Sequence, residues 1–154
     1  MADKPQPMSD FQFRIIKWLT PLFSRWNARR YLASDGRSMG KIAGRDICVA
    51  TMTGAKSGQR RDVPLMYVPW RDGVILVASL GGAPKNPTWY YNLVSHPDVD
   101  VRVKDKTLRL RARLATPSEK VAVWPTCVER YPDYANYQAR TPRDIPVFIC
   151  EPRA

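Results

Sequence analysis

Residues 53 to 61 read Thr-Gly-Ala-Lys-Ser-Gly-Gln-Arg-Arg. Two glycines leave backbone N–H groups unshielded, and Lys56, Arg60 and Arg61 add three positive charges, a combination that cradles an anion. The Gly-Lys-Ser/Thr order of a P-loop and the helix that follows it are both missing. A solvated hairpin tip has the same composition, so this segment alone leaves both readings open. Further along, Val77 to Leu93 runs from a strand into a Gly-Gly loop and then a helix start. Ala78, Ser79, Gly81 and Gly82 are small enough to let a planar ring approach the backbone. N–H groups at the helix start, beside Lys85, can hold further negative charge. Trp89 reads equally well as core. Tyr131, Tyr134 and Tyr137 lie three apart, so on helical backbone they share one side of a pocket. Phenols with a pKa near 10 are poor bases but good hydrogen-bond donors to an oxygen gathering charge. Tyrosines that merely cover a core have the same spacing.

Several other chemistries are excluded by composition. The sole histidine, His96, sits at a helix exit before Pro97, where no role is assigned to it. A zinc site or a Ser/His/Asp triad would lack its usual ligands or base, so no metal is expected. Cys48, Cys127 and Cys150 form no CxxC pair and read as reduced packing residues. Lys and Arg outnumber Asp and Glu by 25 to 14, a net charge of +11 that favours anionic partners. With no zinc-finger spacing, helix-turn-helix signal or long basic run, that partner is not expected to be nucleic acid. The start of the chain has no apolar signal core, and no stretch approaches 18 apolar residues, so the expected location is cytoplasmic.

The elements that position these residues are short, as 14 prolines among 154 residues require. Residues 1–10 read as a flexible N-terminal segment. An amphipathic helix is expected over 11–32, from Phe11, Ile15, Trp18, Leu19, Leu22, Phe23 and Trp26, with Pro21 kinking or splitting it. Its basic rim of Arg14, Lys17, Arg25, Arg29 and Arg30 could rest on an anionic membrane surface. The favoured reading is a helix that packs its stripe inward and caps the domain. Strands follow at Ile47–Thr51, Val63–Trp70 and Val74–Ser79, the last two joined at Arg71-Asp72-Gly73 as a hairpin. A short helix over 86–95 is opened by Pro87 near its first turn. Val99, Val101 and Val103, then Leu108, Leu110, Ala112 and Leu114, alternate with polar residues as a second hairpin. Thr116-Pro117-Ser118-Glu119 is a capping box that starts a helix towards Tyr131. Ile145–Cys150 is a last strand, placed near an edge by Pro146. Consecutive hairpins without βαβ units give a mainly β, α+β fold, one split antiparallel β-barrel domain of six to seven strands over residues 11–154.

Taken together, the 53–61 block, Val-Pro-Leu-Met-Tyr-Val at 63–68, Ala-Ser-Leu-Gly-Gly-Ala-Pro-Lys-Asn-Pro-Thr-Trp-Tyr-Tyr-Asn-Leu at 78–93 and the tyrosines of 131–137 resemble one family. It is the deazaflavin-dependent nitroreductase or quinone reductase family, a branch of the flavin-binding split-barrel oxidoreductases. The resemblance covers nearly everything from Gly44 onward. It implies an enzyme that binds reduced coenzyme F-420, an 8-hydroxy-5-deazaflavin with an anionic phospholactyl and polyglutamate tail. Carbon at ring position 5 makes that coenzyme a two-electron hydride donor, which the protein need only bind and orient. The implied acceptor is a small planar quinone, activated enone or nitroaromatic.

The resemblance implies that Lys56, Ser57, Gly58 and Arg61 grip the phosphate, with Arg60 beside them. It implies that Ala78, Ser79, Leu80, Gly81 and Gly82 line the ring, and that Pro64, Met66, Lys85, Asn86, Trp89 and Asn92 complete the cofactor site. Tyr134 is the expected chief donor to the acceptor, supported by Ser79, with Tyr131 and Tyr137 shaping the pocket. Two positions depart from the family pattern: Ala55 stands where Arg is usual, and Arg60 where Pro is frequent. The expectation is that the charge has moved across the loop. An FMN, FAD or haem protein of the wider superfamily, or a deazaflavin carrier without turnover, are the alternatives. The oligomeric state is read as monomer or homodimer.

Overall fold

The computed structural model describes residues 5–153, and only the backbone of residues 17–20. The expectations for residues 1–4 and for the side chains of Lys17, Trp18 and Leu19 therefore lie outside the described residues. Helix α1 (Asp10–Ala33) starts at a capping box: the Gln12 N–H donates to Ser9 Oγ at 3.2 Å and the Ser9 N–H to Gln12 Oε1 at 3.0 Å. Ser9 and Asp10 thus belong to the helix start and not to the lead-in. The helix runs through Pro21 without being split. Pro21 is exposed, so water can satisfy the carbonyl that loses its partner.

The inward-packing expectation for α1 is corrected. Among its described side chains Asn27, Ala28 and Tyr31 are buried, whereas Phe11, Ile15, Leu22, Phe23 and Trp26 are 41–72% exposed. At 100° per residue, the face carrying Ala28 and Tyr31 lies well round the helix from the stripe through Phe11, Ile15, Leu22 and Trp26. Tyr31 anchors the contact: its hydroxyl donates to the Ile47 carbonyl (3.3 Å) and accepts from the Lys104 N–H (2.6 Å).

Eight strands form the barrel: β1 (Lys41–Ile42), β2 (Arg45–Thr53), β3 (Arg60–Met66), β4 (Val68–Trp70), β5 (Gly73–Val77), β6 (Asp98–Val103), β7 (Lys106–Leu114) and β8 (Val147–Pro152). All pairings are antiparallel, in the order β1-β2-β6-β7-β8-β5-β4, with β3 also on β2. The count exceeds the expected six to seven because β1 is a two-residue strand and the stretch 60–70 divides at Tyr67. There the chain leaves β2 and turns onto β5, which joins the two ends of the strand order and curls the sheet. Alternate residues fill the interior: Cys48, Ala50 and Met52, Val74 and Leu76, Val99 and Val101, Leu110 and Ala112, Phe148 and Cys150. The three cysteines are free and buried, and burial pushes the Cys48 thiol up to about 12.

β8 lies between β7 and β5, not near an edge. Pro146 precedes its first residue and contributes only a carbonyl, which accepts from the Ala78 N–H at 2.9 Å, so no ladder donor is lost. The β4–β5 hairpin turns at Arg71-Asp72, with Trp70 opposite Gly73. Gly73 is needed for a reason other than its turn signal, since a Cβ there would lie 1.9 Å from the Cys150 carbonyl oxygen. Outside the barrel lie a 3-10 turn (Leu80–Gly82), α2 (Thr88–Ser95), α3 (Pro117–Arg130) and α4 (Asp133–Arg140). Pro87 is the N-cap of α2, next to its first turn as expected. The capping box of α3 forms as expected, with Pro117 in its first turn.

Candidate active site

The segment between β2 and β3 is a tight, internally bonded loop. The Gly54 N–H donates to the Gln59 carbonyl (2.7 Å), the Gly58 N–H to the Gly54 carbonyl (2.9 Å) and the Gln59 N–H to Ser57 Oγ (3.2 Å). Gly58 has φ +67°, the left-handed conformation that side chains disfavour. Lys56 is exposed and, among the described residues, has no carboxylate partner. Arg61 lies over the loop, its Nη2 3.5 Å from Ser57 Oγ. Arg60, the next residue along the strand, points to the other face. It pairs with Asp100 at 3.1 Å. The charge lost at Ala55 has therefore not been replaced from Arg60, which is engaged on the far side of β3.

Asn92 of α2 is 6% exposed, and its Oδ1 accepts from the Ala55 N–H at 2.9 Å. It holds the loop in place, a role that its position in the sequence did not reveal. Trp89 is core, packed on Phe148 at a centroid distance of 5.8 Å. Pro64 pairs with Val49 and Met66 with Ile47, and Met66 packs in the cluster of Ala28 and Tyr31. Both stand on the β3 face that carries Arg60, opposite Arg61.

After β5 the chain makes the 3-10 turn, with φ +64° at Gly81 and +77° at Gly82. Gly82 lies against α4: a Cβ on it would sit 2.6 Å from the Tyr137 carbonyl oxygen. Ser79 is buried at the start of this turn. Two arginines that sequence reasoning missed grip the segment from α4 and the residues beyond it. Arg140 Nη1 donates to the Gly81 carbonyl (3.0 Å) and its guanidinium lies 5.7 Å from the Tyr137 ring centroid. Arg143 donates from Nε to the Ala83 carbonyl (2.7 Å), from Nη1 to the Ala78 carbonyl (3.2 Å) and Asn86 Oδ1 (2.9 Å), and from Nη2 to the Ser79 carbonyl (2.6 Å). Nothing in Thr-Pro-Arg-Asp-Ile-Pro sets Arg143 apart from the chain's other arginines. Only its partners identify it. Lys85 is exposed on the same loop.

The three tyrosines do converge, although not on one helix. Tyr131 is the C-cap of α3, with extended φ −144° and ψ 93°, while Tyr134 and Tyr137 lie on α4. Pro132 turns the chain between the two helices, and the rings meet with centroids 5.1–6.3 Å apart. The Tyr131 and Tyr137 hydroxyls are 3.0 Å apart. Tyr134 is 4% exposed, and burial holds its phenol well above the ordinary tyrosine range. Burial also raises Tyr131, with the Tyr137 hydrogen bond adding to it. Both phenols therefore keep their protons at neutral pH. Among the described residues the Tyr134 hydroxyl has no hydrogen-bond partner, and its ring packs in the core cluster of Val68, Ile75, Val77, Val123 and Cys127.

Asn92 thus ties the basic loop to α2, α2 follows the glycine turn, and the glycine turn is packed on α4 and its tyrosines. A family model described as F420H(2)-dependent quinone reductase matches residues 23–152. The chain belongs to this family. An F420H(2)-dependent quinone reductase of Mycobacterium tuberculosis is 36% identical over 123 residues, 77% of this chain and 83% of that protein. A solved F420-H2 dependent reductase is 48% identical, with a TM-score of 0.64 over 68% of this chain and 93% of its own. A solved structure described as a domain-swapped dimer is 41% identical, with a TM-score of 0.67 over 88% of this chain and 98% of its own.

Membership makes this reductase an oxidoreductase whose cofactor is reduced coenzyme F-420. The residues present fit that group. Lys56 and Arg61 place two positive charges at a glycine-bearing loop, which suits an anionic tail, and the small residues of the 78–82 segment suit a flat ring.

Proposed function

We propose that this reductase delivers a hydride to a quinone, with activated enones and nitroaromatics as further acceptors, and that one continuous site does so. When bound, the reduced deazaflavin supplies the hydride. Lys56, Ser57, Gly58 and Arg61 hold its phosphate and acidic tail, while Ala78, Ser79, Leu80, Gly81 and Gly82, with Asn86 and Lys85, frame its ring. Tyr134 donates a hydrogen bond to the acceptor oxygen as negative charge builds there, aided by Ser79. Tyr131 and Tyr137, joined through their hydroxyls, form the wall that keeps the acceptor flat over the ring. The observation that carries this reading is the Gly82–Tyr137 contact, because it sets the ring-lining turn and the tyrosines side by side.

The test is a fluorescence titration with the deazaflavin and with FMN, followed by oxidation of the reduced coenzyme by menadione. Micromolar binding of the deazaflavin and turnover are expected. Tyr134→Phe should bind the coenzyme normally while kcat falls about tenfold to hundredfold, the range for losing one donor to a developing charge. An unchanged rate would refute the donor assignment, and failure to bind the deazaflavin would refute the whole reading.

Two further features belong to this proposal. The 41% identical relative that forms a domain-swapped dimer supports a homodimer for this chain, which light scattering would test. The exposed stripe Phe11, Ile15, Leu22 and Trp26, flanked by Arg14, Arg25 and Arg29, favours contact with an anionic membrane surface. No helix among the described residues is long and apolar enough to cross a membrane. Flotation with vesicles containing phosphatidylglycerol, compared with a Leu22→Glu/Trp26→Glu variant, tests the contact. Equal recovery of both proteins with the vesicles would rule it out.

A further inference from the structure

We propose that Arg143 is the positioning residue of the coenzyme-ring segment: its guanidinium holds both arms of the 78–86 loop and thereby aims the loop's backbone donors at the ring. The inference rests on reading that loop as the ring site. Arg143 reaches the outgoing arm at the carbonyls of Ala78 and Ser79, and the returning arm at the Ala83 carbonyl and the Asn86 amide oxygen. Four acceptors on two arms match a planar fork of five N–H donors, which a lysine ammonium on a flexible stem cannot reproduce.

None of the four acceptors is charged, so the contact is not an ion pair. The cation is half-buried among neutral oxygens and, among the described residues, has no carboxylate partner. Its effect on the backbone follows from the trans peptide plane, in which N–H and C=O point in opposite directions. With the Ala78 and Ser79 carbonyls drawn towards Arg143, the N–H groups of Ser79 and Leu80 turn to the opposite side, available to the carbonyl oxygens of a bound ring. Arg140 supports the same turn from α4 through the Gly81 carbonyl, which ties the loop to the helix that carries Tyr134 and Tyr137.

The experiment compares wild type with Arg143→Lys and Arg143→Ala, using coenzyme titration, steady-state kinetics with menadione, and amide hydrogen exchange of residues 78–86 without coenzyme. Arg143→Lys should melt close to wild type, exchange faster at Ser79 and Leu80, and bind the coenzyme about tenfold more weakly. Its kcat should fall roughly a hundredfold, the scale of an ångström of misplacement, with KM for menadione little changed. Millimolar guanidinium should restore coenzyme affinity to Arg143→Ala, and methylammonium should not. Unaltered exchange and affinity in a folded Arg143→Lys would overturn the assignment while leaving the ring site standing. Wild-type protein that takes up no deazaflavin would overturn both.

Discussion

Arg60 and Arg61 are adjacent, equally charged and both on the anion loop, yet exchanging each for glutamine should have different consequences. Arg61 lies over the loop, its Nη2 3.5 Å from Ser57 Oγ. A hydrogen bond to a charged group contributes about 1.5–3 kcal/mol, which is roughly a ten- to hundredfold change in Kd for the coenzyme on Arg61→Gln. Arg60 faces away and is held by Asp100, with its side chain 65% exposed. An exposed pair of this kind contributes about 0.2–1 kcal/mol to stability. Its long-range pull on the tail is cut by a screening length of about 8 Å at 0.15 M salt. Arg60→Gln should therefore leave Kd within about twofold at that ionic strength, since a screened charge without contact adds little. Fluorescence titration of wild type and both variants, at low salt and at 0.15 M, measures the contrast. A tenfold loss in Arg60→Gln, or none in Arg61→Gln, would show that the face assignment on β3 does not govern tail binding.

Asn92→Leu removes the acceptor of the Ala55 N–H, so stability should fall by about 1–3 kcal/mol in urea unfolding. Kd for the coenzyme should rise as the loop loosens; an unaltered Kd would separate the loop's shape from this bond. Asn27 is fully buried and, among the described residues, neither its Nδ2 nor its Oδ1 has a partner, so Asn27→Leu should raise the urea midpoint by the equivalent of about 1–3 kcal/mol. A lowered midpoint would contradict that reading. Arg113 beside Glu119, with the Thr116 N–H, holds the Glu119 carboxyl down to about 2. A depressed folded-state value means stabilisation that is complete above the ordinary carboxylate range and lost as pH falls through 2. Glutamine keeps the capping box but not the charge. Wild type should therefore melt above Glu119→Gln at pH 6, with the gap closing towards pH 2. A gap that stays constant would exclude the ion pair as its source.

Period-two alternation in 99–114, the apolar run 145–150, the Thr116 capping box and the Asp-Gly hairpin were all legible in the chain, because each depends on neighbours a few residues away. So were the basic loop and the glycine turn, whose residue types announce an anion and a close approach. The sequence alone also displayed the exposed stripe of α1, but not the direction in which it faces. That direction was decided by the fit of Ala28 and Tyr31 to the outer face of β2 and β3. The pairing of Arg60 with Asp100 depends on a neighbour 40 residues away, and it decided that the positive charge has not crossed the loop to make good Ala55. The same holds for Asn92 on Ala55, for Tyr131 meeting Tyr137 across a helix break, and for Arg143. One arginine among many became a candidate for positioning the site because folding gathered four oxygens, from residues 57 to 65 positions away, around one planar cation. Local rules fix which groups are offered, and only closure of the barrel decides which of them meet.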